Sequence, residues 1–241
     1  VNDLAIGDVD GDRRADIVVA GRHGPLTDGM KLQLDQRREL GDLTVLGYAD
    51  GKLATKARFA WAKGTSLRLR TVAVADLDGD HRAEIVTGGQ YDGDGKPCLG
   101  RFVVEKGGKL VLRDDVSATE QRGEIKDLII AGTGGDLRII TTGPTGPKPG
   151  RQGDVAAWRL AGGKLVRDAS LVSRNGEETR ARAVVVVPGA GGSTLLTIGH
   201  AQKNATTMVG ATSLVTAAPV LPTPKMPIAR PWRCLGNQRA Q

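Results

Sequence analysis

Aromatic side chains are scarce in this chain, with three tryptophans, two tyrosines and two phenylalanines among 241 residues. A nucleic-acid stacking platform, or a sugar-binding shelf repeated along the chain, needs an aromatic residue at each subsite, and too few are present to build one. Cysteine is nearly absent as well. With Cys98 and Cys234 alone, no disulfide framework defines the fold. The three histidines, His23, His81 and His200, show no zinc-ligand spacing. No apolar run reaches the length of about 18 residues that a membrane-spanning helix requires. Nucleophile elbows, phosphate loops and dinucleotide fingerprints are also missing, so nothing in the sequence names a base or a nucleophile. The net charge is +7, but its lysines and arginines are scattered from Arg13 to Arg239. That dispersion describes a solvated basic surface and argues against a nucleic-acid partner.

The chain does have glycine, 34 residues of it, on a background of 39% hydrophobic and 25% charged residues. The balance is that of a globular protein, and the glycines favour many tight turns between short strands. Two segments align closely, VNDLAIGDVDGDRRADIVVAG from Val1 to Gly21 and RTVAVADLDGDHRAEIVTGG from Arg70 to Gly89, each an apolar strand, an acidic loop and a second apolar strand. Weaker copies follow in EIKDLIIAGTGGDLRIITTG from Glu124 to Gly143 and RAVVVVPGAGGSTLLTIGH from Arg182 to His200, with shorter loops that lack the carboxylates.

A second marker, Gly-Lys-Leu, recurs at Gly51, Gly108 and Gly163, preceded by Asp50, Gly107 and Gly162. Asp-Gly and Gly-Gly between strand-like runs signal type I′ hairpins, whose two central residues both need positive φ. Each unit therefore reads as four short antiparallel strands, and a repeat of such units is the pattern of β-propeller blades. The expected fold is all-β, about four blades over residues 1–69, 70–123, 124–180 and 181–216, either closed or part of a larger ring. An insertion is expected from Gly24 to Asp42. After Ala217 five prolines fall within thirteen residues, so 217–241 reads as an extended tail.

Chemistry concentrates in the acidic loops. DVDGDRRAD places Asp8, Asp10, Asp12 and Asp16 at loop positions one, three, five and nine, and DLDGDHRAE places Asp76, Asp78, Asp80 and Glu84 there. Four like charges within nine residues are costly unless a cation neutralises them. Calcium takes six to eight oxygens in irregular geometry, which alternate carboxylates on a glycine-containing loop supply. An EF-hand is excluded, because its bidentate Glu at position twelve is replaced by Val19 or Thr87 and the flanks are β-branched. The segment QYDGDGKPC, Gln90 to Cys98, imitates the loop but follows the second strand of its unit and reads as a hairpin turn. The pair Asp114-Asp115 reads as solvent-facing, and Phe59 with Trp61 as core.

The two acidic segments resemble the FG-GAP or VCBS-type repeats of integrin α-subunit propellers and many secreted bacterial proteins. The resemblance implies a calcium ion in each loop. It would be held by Asp8, Asp10, Asp12, Asp16 and the carbonyl of Arg14 in the first, and by Asp76, Asp78, Asp80, Glu84 and the carbonyl of Arg82 in the second. This chain departs from the family at loop position six, where Arg13 and His81 replace a frequent glycine, and in using Glu84 where Asp is usual. The function expected is non-catalytic binding of a protein or glycan in an extracellular or periplasmic setting. Two alternatives stay open: a lyase-type polysaccharide-processing enzyme, and an assembly subunit whose ring another chain completes.

Overall fold

A computed structural model describes residues 1–23, 40–61, 67–91, 95–118, 121–133, 136–147, 150–172, 178–189, 192–203 and 207–215. Residues 24–39 of the expected Gly24–Asp42 insertion, the tip of the Gln90–Cys98 hairpin (92–94), Cys234 and the proline-rich tail lie outside these residues, while the last three residues of that insertion, Leu40 to Asp42, belong to a strand. The described chain forms four antiparallel sheets, each a meander in chain order, and contains no α-helix. The first sheet holds β1 (Asp3–Gly7), β2 (Asp16–His23), β3 (Leu40–Ala49) and β4 (Lys52–Trp61). The second holds β5 (Leu67–Ala75), β6 (Glu84–Tyr91), β7 (Pro97–Glu105) and β8 (Lys109–Ser117). The third holds β9 (Asp127–Ala131), β10 (Arg138–Thr145), β11 (Gln152–Ala161) and β12 (Lys164–Val172). The fourth has three strands, β13 (Glu178–Gly189), β14 (Gly192–Lys203) and β15 (Thr207–Val215).

Local chemistry sets the hairpins. Asp50 and Gly51 have φ of 51° and 76°, Gly107 and Gly108 of 95° and 79°, and Gly162 and Gly163 of 57° and 75°. All three Gly-Lys-Leu markers therefore sit on turns with positive φ at both central residues, as type I′ geometry demands. The acidic loops link β1 to β2 and β5 to β6, closing on the pairs Gly7↔Asp16 and Ala75↔Glu84.

Register makes the sheets directly comparable. Asp16, Glu84 and Arg138 occupy one position at the start of the second strand. In the fourth strand a bulge skips Lys56, Arg113 and Asp168, again at one equivalent position. A further bulge in the first strand skips Arg70 and Arg182, and a bulge re-aims the side chain it carries. Beside these first-strand sites the second strand has glycine. A Cβ on Gly89, Gly143 or Gly199 would lie 1.8, 1.8 or 2.2 Å from the carbonyl oxygen of Arg68, Glu124 or Arg180. No side chain fits there, which accounts for the glycine ending each of the apolar runs IVTGG, IITTG and LLTIG.

The sheets pack face to face in chain order, β5 against β1 and β2, β9 against β5, and β13 against β9 and β10. One core joins the first and second sheets through Val18, Leu43, Val45, Leu67, Leu69 and Phe102. Another joins the second and third through Val86, Leu99, Ile125, Leu128, Ile139 and Trp158. Phe59 and Trp61 meet Phe102 edge-on at centroid distances of 5.2 and 5.4 Å, so both are core residues as their alternation implies. The same cross-sheet hydrogen bond recurs three times. The Val72 N–H donates to the Asp3 carboxylate (2.8 Å), the Leu128 N–H to the Thr71 hydroxyl (3.3 Å), and the Val184 N–H to the Asp127 carboxylate (2.9 Å). Donor and acceptor positions are equivalent in every case, so each sheet relates to the next by a similar displacement.

One sequence expectation is corrected. Asp114 does not face solvent; it is buried and accepts a 2.5 Å hydrogen bond from Arg101 Nε. Arg101 lies on β7 opposite Asp114 on β8, and burying the two together requires that they pair. Asp115, one residue on, points outward and accepts a hydrogen bond from the Tyr91 hydroxyl.

Candidate metal centre

Both acidic loops wrap in the same way. In the first, the Asp8 carboxylate accepts the N–H groups of Gly11 (2.7 Å) and Arg13 (2.8 Å), Asp10 accepts that of Asp12, and Asp12 that of Arg14. The second repeats the set, with Asp76 on Gly79 and His81, Asp78 on Asp80, and Asp80 on Arg82. Position nine closes each loop onto position two, Asp16 accepting the Val9 N–H at 3.3 Å and Glu84 the Leu77 N–H at 2.7 Å. Position six takes positive φ, 65° at Arg13 and 68° at His81, where glycine would sit without strain.

The wrapping gathers Asp8, Asp10 and Asp16 in one loop and Asp76, Asp78 and Glu84 in the other, with carboxylate oxygens within 4.8 Å of one another. Asp12 and Asp80 stand outside these triads. Arg14 and Arg82 lie at position seven, and the Arg82 side chain reaches away, lying over Gly11 of the first loop and donating to the Val104 carbonyl. The loops also touch directly, the Ala83 N–H donating to the Asp8 carbonyl at 2.9 Å.

The residues fit a hard cation. Asp16 is fully buried, and the partner its Oδ1 meets among the described residues is the Lys56 ammonium. Glu84 is almost as buried, and burial pushes its carboxyl up to about 7, with Asp78 adding to the rise. A buried carboxylate in that position needs positive charge beside it. The donors each triad offers are carboxylate oxygens, the ligand type that hard divalent cations take.

The counter-charges differ between the loops. In the first sheet the Lys56 ammonium stands 2.7 Å from Asp10, 2.9 Å from Asp12 and 2.8 Å from Asp16. Burial works against its charge, yet the bonds to Asp10, Asp16 and Asp12 prevail and hold its pKa above the ordinary lysine value. In the second sheet the equivalent Arg113 turns instead to Glu105 at 2.7 Å, where the first sheet has Ala49. The cation nearest Glu84 among the described ion pairs is Arg101, at 3.9 Å and already engaged with Asp114. A cavity of about 290 Å³ opens beside this loop, lined by Asp78, Asp80, Glu84, Arg101, Glu105 and Arg113.

The third sheet inverts the charges. Arg138 stands where Asp16 and Glu84 do, Asp168 stands where Lys56 and Arg113 do, and the two pair at 2.9 Å. Sequence reasoning missed Lys56, Arg101 and Arg113, whose significance depends on strand register. Compared with known proteins, the chain matches no family model and no curated sequence.

Proposed function

We propose that the chain is a non-catalytic, calcium-binding β-propeller of the FG-GAP or VCBS type that acts as a binding scaffold for a protein or glycan outside the cytoplasm. The observation that carries this reading is the matched pair of loops, each of which brings a buried position-nine carboxylate against two others. The recurrent hydrogen bond that Asp3, Thr71 and Asp127 accept from a backbone N–H of the following sheet supports the radial repetition of a propeller. Calcium on this reading is structural. It fastens the connection between the first two strands of a blade, and recognition is left to other loops.

The second loop is the better cation site as the chain stands, since the cation beside Glu84 among the described ion pairs, Arg101 at 3.9 Å, is already engaged by Asp114. The first takes an ion only by displacing the Lys56 ammonium. Calcium should raise the melting temperature, with a gain of roughly 2.7 kcal/mol at a hundredfold excess over Kd, and a chelator should reverse it. A chelator-insensitive melting curve that calcium also leaves unmoved would refute the proposal.

A specific observation favours association as a second reading. The outermost sheets expose apolar faces, Leu4 and Ile6 on β1, and Val185, Val187 and Ile198 on the fourth sheet. Isolated exposed apolar residues are ordinary, but these lie on the two sheets that, among the described residues, pack extensively against a neighbour on one side only. Sedimentation at increasing concentration tests it: a ring completed by another chain gives a rising mass, and a constant monomer mass refutes it.

A further inference from the structure

The first strands of the second, third and fourth sheets carry a second cluster of charge, opposite in sign to the metal loops and, on β5, toward the other end of the strand. Arg70 and Arg182 are the bulged residues of β5 and β13, and Lys126 immediately precedes β9 at the equivalent position. Lys126 is fixed there by its own N–H, which donates to the Thr142 carbonyl at 2.8 Å, and by Gly143, which matches Gly89 and Gly199. Two residues earlier on each strand stand Arg68, Glu124 and Arg180, so the repeat reads RLRT, EIKD and RARA. The acidic loops follow the far ends of β1 and β5.

The three cations converge. Glu124, buried, pairs with Arg70 Nε at 2.5 Å and also with the Lys126 ammonium. Burial chiefly lowers the Lys126 pKa; the Glu124 bond opposes this, and the charges of Arg70 and Arg182 add to the depression. The Val184 N–H donates to the Asp127 carboxylate at 2.9 Å, which sets Arg182, two residues before Val184, beside Lys126, the neighbour of Asp127. Arg182 is exposed, and no described carboxylate lies within ion-pair distance of it. Glu124 thus pairs with two of the cations and leaves Arg182, set beside them by the strand repeat, without an ion-pair partner among the described residues.

We infer that Arg70, Lys126 and Arg182 form a binding site for a tetrahedral oxyanion, a sulfate or phosphate group, at the end of these first strands remote from the acidic loops. Two guanidinium forks and one ammonium offer charge-assisted donors to several oxygens of such a group. A bulge at the same place in two strands turns both arginines out of the regular pleat toward it. Glu124 holds Arg70 and Lys126 in position and competes with the anion for them. The site supplies an anionic group as the recognition element for the proposed binding scaffold. It uses none of the cation ligands, so either assignment can fail without the other.

Calorimetric titration of the full chain in calcium-free buffer tests it, with inorganic sulfate, inorganic phosphate, acetate and chloride at equal ionic strength. Saturable binding of sulfate or phosphate is expected, with acetate and chloride giving none, and the stronger of the two tetrahedral anions identifies the source chemistry. Arg182→Ala, at an exposed side chain, should weaken binding about tenfold or more while leaving the melting temperature and the calcium response of the wild type intact. Glu124→Gln should tighten it. The inference is overturned if sulfate and phosphate behave like chloride, or if Arg182→Ala binds as the wild type does. A failed calcium titration alongside intact anion binding would refute the metal reading alone.

Discussion

The two acidic loops share their backbone wrapping bond for bond and differ in what faces them. In the first sheet the fourth strand carries Lys56 into the loop, where it meets Asp10, Asp12 and Asp16. In the second sheet Arg113 holds the same bulge position, and Glu105 draws it away. On the proposed reading, matching loops thus become one site closed by an internal cation and one left to an external cation. The charge-reversed pair Arg138 and Asp168 in the third sheet gives the same lesson from the other side. The position demands neutrality, and the chain meets that demand in three ways.

The largest expected effect comes from removing the internal cation. Lys56→Met leaves buried Asp16 without a counter-charge, so the metal-free protein should lose about 3 kcal/mol in chemical denaturation. Saturating calcium should restore most of that loss. A variant as stable as the wild type without calcium would break the comparison.

Next come the ligands themselves. Asp78→Ala should abolish the calcium-dependent rise in melting temperature, a loss of about 2.7 kcal/mol at a hundredfold excess over the wild-type Kd. Asp10→Ala should keep the response, because the first loop is not the one that answers. Equal losses in the two variants would make the loops equivalent.

pH separates the loops as well. The folded pKa of Glu84 lies near 7, above its ordinary 4.5, so the folded state holds a proton that the unfolded state has released. Metal-free stability should therefore fall as pH rises from about 4.5 to about 7. Calcium, or the change Glu84→Gln, should flatten that slope in urea melts across the range.

A smaller effect sharpens the role of Arg113. Glu105→Ala frees the guanidinium to turn toward the second loop, and calcium affinity there should drop about tenfold, or 1.4 kcal/mol. Smallest is the backbone term. Arg13→Gly and His81→Gly should each stabilise the protein by about 0.5–1 kcal/mol, since the left-handed conformation costs an L-residue more than the entropy glycine adds. Thermal melts in chelator measure both by the same amount.

Much of this was legible in the sequence because it is local. Loop spacing, the Asp-Gly and Gly-Gly hairpins, and the alternation of Phe59 with Trp61 each lie within a dozen residues, and short-range chemistry determines them. The counter-charges were not legible. Lys56 sits in KLATKARFAW like any solvated strand lysine, and a bulge between Val45 and Leu46 is what aims it at a loop some forty residues earlier. Asp114 failed as a surface residue for the same reason, since Arg101 becomes its neighbour only once β7 and β8 pair. The basic cluster did leave a trace, in the charged residues alternating at the start of the first strands of three sheets. Its meaning appears only when register brings those starts together.

The central claim is that Lys56 does in the first loop what calcium does in the second. Calcium titration of wild type and Lys56→Met by isothermal calorimetry tests it most directly. The account predicts one tight site per chain in the wild type and two in the variant. Two equal sites in the wild type, unchanged by the substitution, would contradict it.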